Sequence, residues 1–88
     1  MNVLEFAVIM QEKLDANDHK DHWSTMSLQY LFTRLAQETG ELSRANKKKL
    51  HPDQIDREAA DVANFAMMIA DNYRNLYEDG AALAAGEE

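Results

Sequence analysis

The sequence predicts an all-α protein: an N-terminal helix followed by an antiparallel helical hairpin, completed to a four-helix-type bundle by oligomerisation. Three observations carry this. Apolar residues recur at intervals of three and four in three separate segments, the period of one helix face. No segment alternates apolar and polar residues as a half-buried strand does. The chain has 88 residues and no cysteine. A chain this short buries only roughly 60% of its unfolded surface. With no disulfide or thiolate metal site to compensate, association is the usual remedy.

The first helix covers about Val3 to Ala16, with Leu4, Ala7, Val8 and Leu14 near one face. The polar stretch from Asn17 to Thr25 has no period and ends it, with Trp23 the exception in its composition. A second helix runs from about Met26 to Lys48, capped by Ser24 or Thr25. Its apolar positions are Leu28, Leu31, Leu35, Leu42 and Ala45. His51-Pro52-Asp53 marks the next boundary, because proline suits the first turn of a helix and aspartate its positive end. The third helix continues to about Tyr77 with Ile55, Val62, Phe65, Ile69 and Leu76 on its stripe, and Asp79-Gly80 stops it. Residues 1–79 thus read as a single helical domain, and 80–88 as a flexible C-terminal tail. Short links between helices of this length favour antiparallel neighbours.

Charge narrows the function. A formal net charge of −7 argues against a nucleic-acid-binding surface, which must be basic to meet phosphates. It does not argue against a nucleotide substrate, since a divalent cation can bridge acidic side chains to a polyphosphate. The opening MNVLEFAVIM is apolar, but it lacks a basic start and carries Glu5 within it, so it reads as a helix and not a signal peptide. No apolar run approaches the ~20 residues of a membrane span. The absence of cysteine suits a reducing compartment, and a cytoplasmic location is expected.

The buried stripes are interrupted by acids. In the second helix the stripe runs through positions 28, 31, 35, 38, 42 and 45, and position 38 is Glu38. In the third it runs through 55, 58, 62, 65, 69, 72 and 76, and position 58 is Glu58. Each glutamate has an acid three residues later, Glu41 and Asp61, on the same side of its helix. If both helices run fully to the link, the two motifs are offset by about two turns; a second helix ending near Lys47 reduces that offset. Most Glu-x-x-Glu spacings are solvated faces. Two of them on interrupted core stripes of adjacent helices are a different matter, because clustered carboxylates repel and are costly to desolvate. No Lys or Arg lies between them on either stripe, so a hard divalent cation is the expected compensation, magnesium first. A di-iron bundle would need Glu-x-x-His pairs, and no histidine follows Glu38 or Glu58 at that spacing.

The pattern Glu38-Thr39-Gly40-Glu41-Leu42 followed by Glu58-Ala59-Ala60-Asp61-Val62 resembles the MazG-like family of all-α nucleotide pyrophosphohydrolases. The resemblance extends from Trp23 to about Asn72. One departure is Gln37, where the family often carries a further glutamate. The resemblance implies magnesium-dependent hydrolysis between the α- and β-phosphates of a (d)NTP, giving a nucleoside monophosphate and pyrophosphate. It implies Glu38, Glu41, Glu58 and Asp61 as metal ligands, with Mn²⁺ a possible substitute for Mg²⁺. One glutamate, Glu41 in preference to Glu38, would instead accept the proton of the attacking water.

Further candidates for substrate contact are His22 and Trp23 (base stacking), Asn64 (sugar or base), and Lys47, Lys48 and Lys49 (the phosphate tail). Each has a plainer reading: a lone Trp is more often core, and a lysine run at a helix end is more often solvated. Arg34 and Arg57 are ambiguous. The expected partners are a nucleoside triphosphate and further copies of the chain, as a homodimer or a dimer of dimers, with neither nucleic acid nor membrane. The activity would serve house-cleaning or nucleotide-pool control. The alternative is a non-catalytic acidic helical dimer that binds a metal or a protein partner; a small antitoxin-like or phage accessory protein is a weaker third reading.

Overall fold

The computed structural model describes residues 1–17 and 23–80. Among these the chain is helical throughout, in the order α1 (Val3–Ala16), a single 3-10 turn (Trp23–Thr25), α2 (Leu28–Lys47) and α3 (Pro52–Asp79). His19, His22 and the expected tail beyond Gly80 lie outside the described residues. No described helix is long and apolar enough to cross a membrane.

Each helix start carries its own chemical reason. At α1, the Asn2 side chain accepts from the Glu5 amide while Glu5 accepts from the Asn2 amide, both at 2.9 Å, a reciprocal capping box. At α2 the cap is Ser27, whose Oγ accepts from the Tyr30 amide at 3.0 Å. This corrects the expectation of Ser24 or Thr25: the 3-10 turn takes both residues and delays the helix. At α3 the cap is His51, whose Nδ1 accepts from the Asp53 amide at 3.1 Å, with Pro52 in the first turn.

The turn between α2 and α3 is tight. The Lys48 amide donates to the Arg44 carbonyl, Lys49 to Asn46, and Leu50 to Ala45. Lys49 adopts a left-handed conformation at φ 54°, a position that glycine usually occupies. Gly80 ends α3 at φ 82°, its amide donating to the Leu76 carbonyl.

Helix α3 is central: α2, α1 and the 3-10 turn all pack on it, while α1 makes no close backbone approach to α2. The expected α2 stripe is the buried one, with Leu31, Glu38 and Ala45 buried and Leu28, Leu35 and Leu42 half-buried. Because α3 is flanked on two sides, it buries a second stripe as well, Ala60, Asn64 and Met68. Leu14, Leu31, Phe65 and Met68 form the core, with Trp23, Met26 and Leu35 packed against it. Met67 packs there too.

For α1, Leu14 faces inward as expected, but the other three expected positions do not. Leu4 and Val8 are exposed, at 78% and 57%, and Ala7 is exposed with them. The inward residues are Leu14, buried, and Phe6, Ile9, Met10 and Lys13, half-buried. Phe32 on α2 and Tyr73 and Tyr77 on α3 are also exposed, and flank an open groove of about 720 Å³ with Leu28 and Ile69.

Candidate metal centre

The end of α2 at Lys47 aligns the two acidic motifs. Glu38 stands nine residues before Lys47, and Asp61 nine after Pro52; Glu41 and Glu58 each stand six from the same two ends. In an antiparallel hairpin, equal distances from the turn mean equal heights. The offset expected for a longer α2 is therefore absent.

Glu38, Glu58 and Asp61 each offer a carboxylate oxygen, and the three oxygens lie within 4.8 Å of one another. Glu38 is buried, with 6% of its surface exposed; Glu58 and Asp61 are half-buried. Glu41 is exposed and stands outside this trio, although its charge is felt at Glu38.

The electrostatics follow from this geometry. Burial pushes the Glu38 carboxyl above the ordinary glutamate range, and Glu41, Asp61 and Glu58 push it the same way, against the pull of Arg34. Its Oε2 accepts from an Arg34 Nη at 3.0 Å, whereas its Oε1 is buried without a partner. The Oε1 of Glu58 is likewise buried and unpartnered. Orphaned carboxylate oxygens are costly in a folded protein. Oxygen-only donors, converging at this spacing and still lacking partners, fit a hard divalent cation.

The cluster is not without cations, as the two stripes alone had suggested. Arg34 lies one turn before Glu38, and its guanidinium carbon sits 5.1 Å from the centroid of the Phe65 ring. It also donates to Gln37. From α1, Lys13 Nζ reaches Asp61 Oδ2 at 3.3 Å. Lys13 was missed in the sequence, since it faces the site from a helix 48 residues away and no local spacing reveals that.

The remaining candidates are spread along the hairpin. Asn64, one turn beyond Asp61, is buried; its amide donates to the Met10 carbonyl at 3.0 Å, and its Oδ1 is unpartnered. Trp23 packs on the core, and its indole N–H donates to Asp71 Oδ2 at 3.0 Å. Asp71 lies ten residues past Asp61, roughly 15 Å along the helix. Lys47, Lys48 and Lys49 are exposed at the hairpin turn, the opposite end from Trp23. The structure thus gathers Glu38, Glu58 and Asp61, with Glu41 on the rim, turns the Asn64 amide toward α1, and leaves Trp23 and the lysines apart. Beside Arg34, Tyr30, Met26, Phe65 and Met68 line a cavity of about 160 Å³.

Comparison with protein-family models, with curated proteins and with solved structures finds no match to this chain.

Proposed function

We propose that the chain is a magnesium-dependent nucleoside triphosphate pyrophosphohydrolase of the MazG-like kind, cleaving (d)NTP to (d)NMP and pyrophosphate. The observation that carries the reading is Glu38: a carboxylate buried in a hydrophobic hairpin, one oxygen unpartnered, at the same height as Asp61. Glu38, Glu58 and Asp61 would hold the ion, with Glu41 completing the set from the rim. Bound there, Mg²⁺ or Mn²⁺ would neutralise charge developing on the pyrophosphate and acidify a water.

The chain's own groups supply the rest. Water attacks the α-phosphorus, the bond to the bridging oxygen breaks, and pyrophosphate leaves with that oxygen. Glu41 is exposed beside the trio and outside it, so its carboxylate, when it is not a ligand, is free to accept the water's proton. Arg34, fixed over Phe65, offers positive charge to the polyphosphate.

A homodimer or dimer of dimers belongs to the same proposal. Among the described residues Leu31 is the one large side chain that is fully buried, a small core for a stable fold. The groove flanked by Phe32, Tyr73 and Tyr77 offers apolar surface that a second copy would cover.

One observation favours the non-catalytic alternative, a metal- or protein-binding module. Lys13 and Arg34 already offset two of the three clustered charges. A pyrophosphate-release assay separates the readings. The enzyme predicts release that requires Mg²⁺, stops with EDTA, and is lost in Asp61→Asn. A folded, metal-binding protein that releases nothing from any (d)NTP favours the module.

A further inference from the structure

Lys13 belongs to α1, yet its ammonium pairs with a carboxylate of the α2–α3 cluster. Among the described residues Arg34 and Lys13 are the cations paired with this site, and they are held very differently. Arg34 is tied by its bonds to Gln37 and Glu38 and by the Phe65 ring. Its planar group is fixed in place. Lys13 has a single ion pair, at 3.3 Å, on a four-carbon stem that is 27% exposed. A lysine so placed can swing into water at little cost, because its ammonium is strongly hydrated.

Charge balance points the same way. Three carboxylates against Arg34 and Lys13 leave one net negative charge. A divalent cation among the carboxylates would compete with Lys13 for Asp61 and set a like charge beside an ammonium that lies 3.3 Å from that carboxylate. The partnerless Oε1 atoms of Glu38 and Glu58 show that two cations have not satisfied the site.

We infer that Lys13 is a tethered counter-cation that occupies Asp61 when no divalent ion is bound and is displaced when one binds. This rests on the metal centre proposed above and adds a regulatory residue to it. Metal loading and the Lys13–Asp61 contact oppose each other, and by linkage each weakens the other equally. Displacement removes one of the ties between α1 and α3, leaving the Asn64–Met10 bond and the Leu14 contact. Lys13 is a positioning residue in this account and touches no reacting atom.

The test is a Mn²⁺ titration of the full chain, followed by the spin-resonance signal of the free ion, for wild type, Lys13→Gln and Lys13→Arg. Lys13→Gln should bind about fivefold more tightly at low salt, the size of a partly exposed ion pair plus the repulsion it relieves. The gain should shrink at high salt. Lys13→Arg should stay near wild type. Equal or weaker binding by a folded Lys13→Gln, with wild type still binding, overturns this inference alone. No binding by any of the three overturns the metal centre with it. A second measurement needs no variant: Mg²⁺ should raise the acylation rate of Lys13 in the wild type severalfold relative to Lys47, and an unchanged ratio overturns the displacement.

Discussion

Glu38 on α2 and Asp61 on α3 face each other at equal distances from the hairpin turn, nine residues on either side. The apolar stripe of each helix brings its acid inward, and the tight turn at Lys48–Leu50 sets the two at one height. The arrangement puts a desolvated carboxylate where an aliphatic side chain would stabilise the fold.

Glu38→Gln should make the metal-free protein more stable at neutral pH. The substitution removes a buried charge and its repulsion with Glu41, Asp61 and Glu58, and gives up the attraction of Arg34. A gain of about 1 kcal/mol would raise the melting temperature by roughly 4–8 °C in a domain of this size. The same variant should lose the stabilisation that Mg²⁺ gives the wild type. Thermal melts followed by circular dichroism, with and without Mg²⁺, read both effects.

The pH dependence has a definite sign. The Glu38 carboxyl titrates higher in the folded state than its ordinary value of 4.5, so the folded state binds the proton more tightly than the unfolded one. Its contribution is most favourable below 4.5 and is lost as pH rises through the folded value. The stability of wild type minus that of Glu38→Gln should therefore fall between pH 4 and neutrality in the absence of metal. Urea unfolding across this range checks it; a difference that rises with pH contradicts the assignment.

Asn72 ties the 3-10 turn to α3 by donating to the carbonyls of Trp23, at 2.6 Å, and Met26, at 3.0 Å. Asn72→Ala leaves both carbonyls without this donor and should cost about 1–3 kcal/mol. Trp23 fluorescence should shift to the red as its packing loosens. Unchanged emission with unchanged stability would show that the turn is held by other contacts.

At Lys49 the backbone is left-handed, which costs a non-glycine residue about 1–2 kcal/mol. Lys49→Gly should relieve that strain and lose part of the gain to unfolded-chain entropy. A net stabilisation of about 0.5–1 kcal/mol is expected from chemical denaturation, with no change in metal binding.

The hairpin was legible because its apolar spacing is regular and its acids break that spacing at single positions. Glu38 and Glu58 could be placed on the core stripes from the neighbouring Leu31, Leu35, Leu42, Val62 and Phe65 alone. Helix α1 was different. Leu4 and Val8 are as apolar as Phe6, Met10 and Leu14, so the period does not choose a face; packing against α3 does. Ser27 was passed over as a cap for a related reason, since Ser24 and Thr25 are equally good acceptors until the 3-10 turn claims them. The approach of Lys13 to Asp61 is a product of how α1 lies on α3, and nothing within either helix encodes it locally.

The most direct test of the account is product analysis after incubating the protein with each (d)NTP and Mg²⁺ in heavy-oxygen water, read by phosphorus NMR and mass spectrometry. A nucleoside monophosphate carrying one heavy oxygen and unlabelled pyrophosphate should form with the wild type and not with Glu38→Gln. Products of nucleoside diphosphate and phosphate, or no turnover of any nucleotide by folded, Mg²⁺-bound protein, would contradict it.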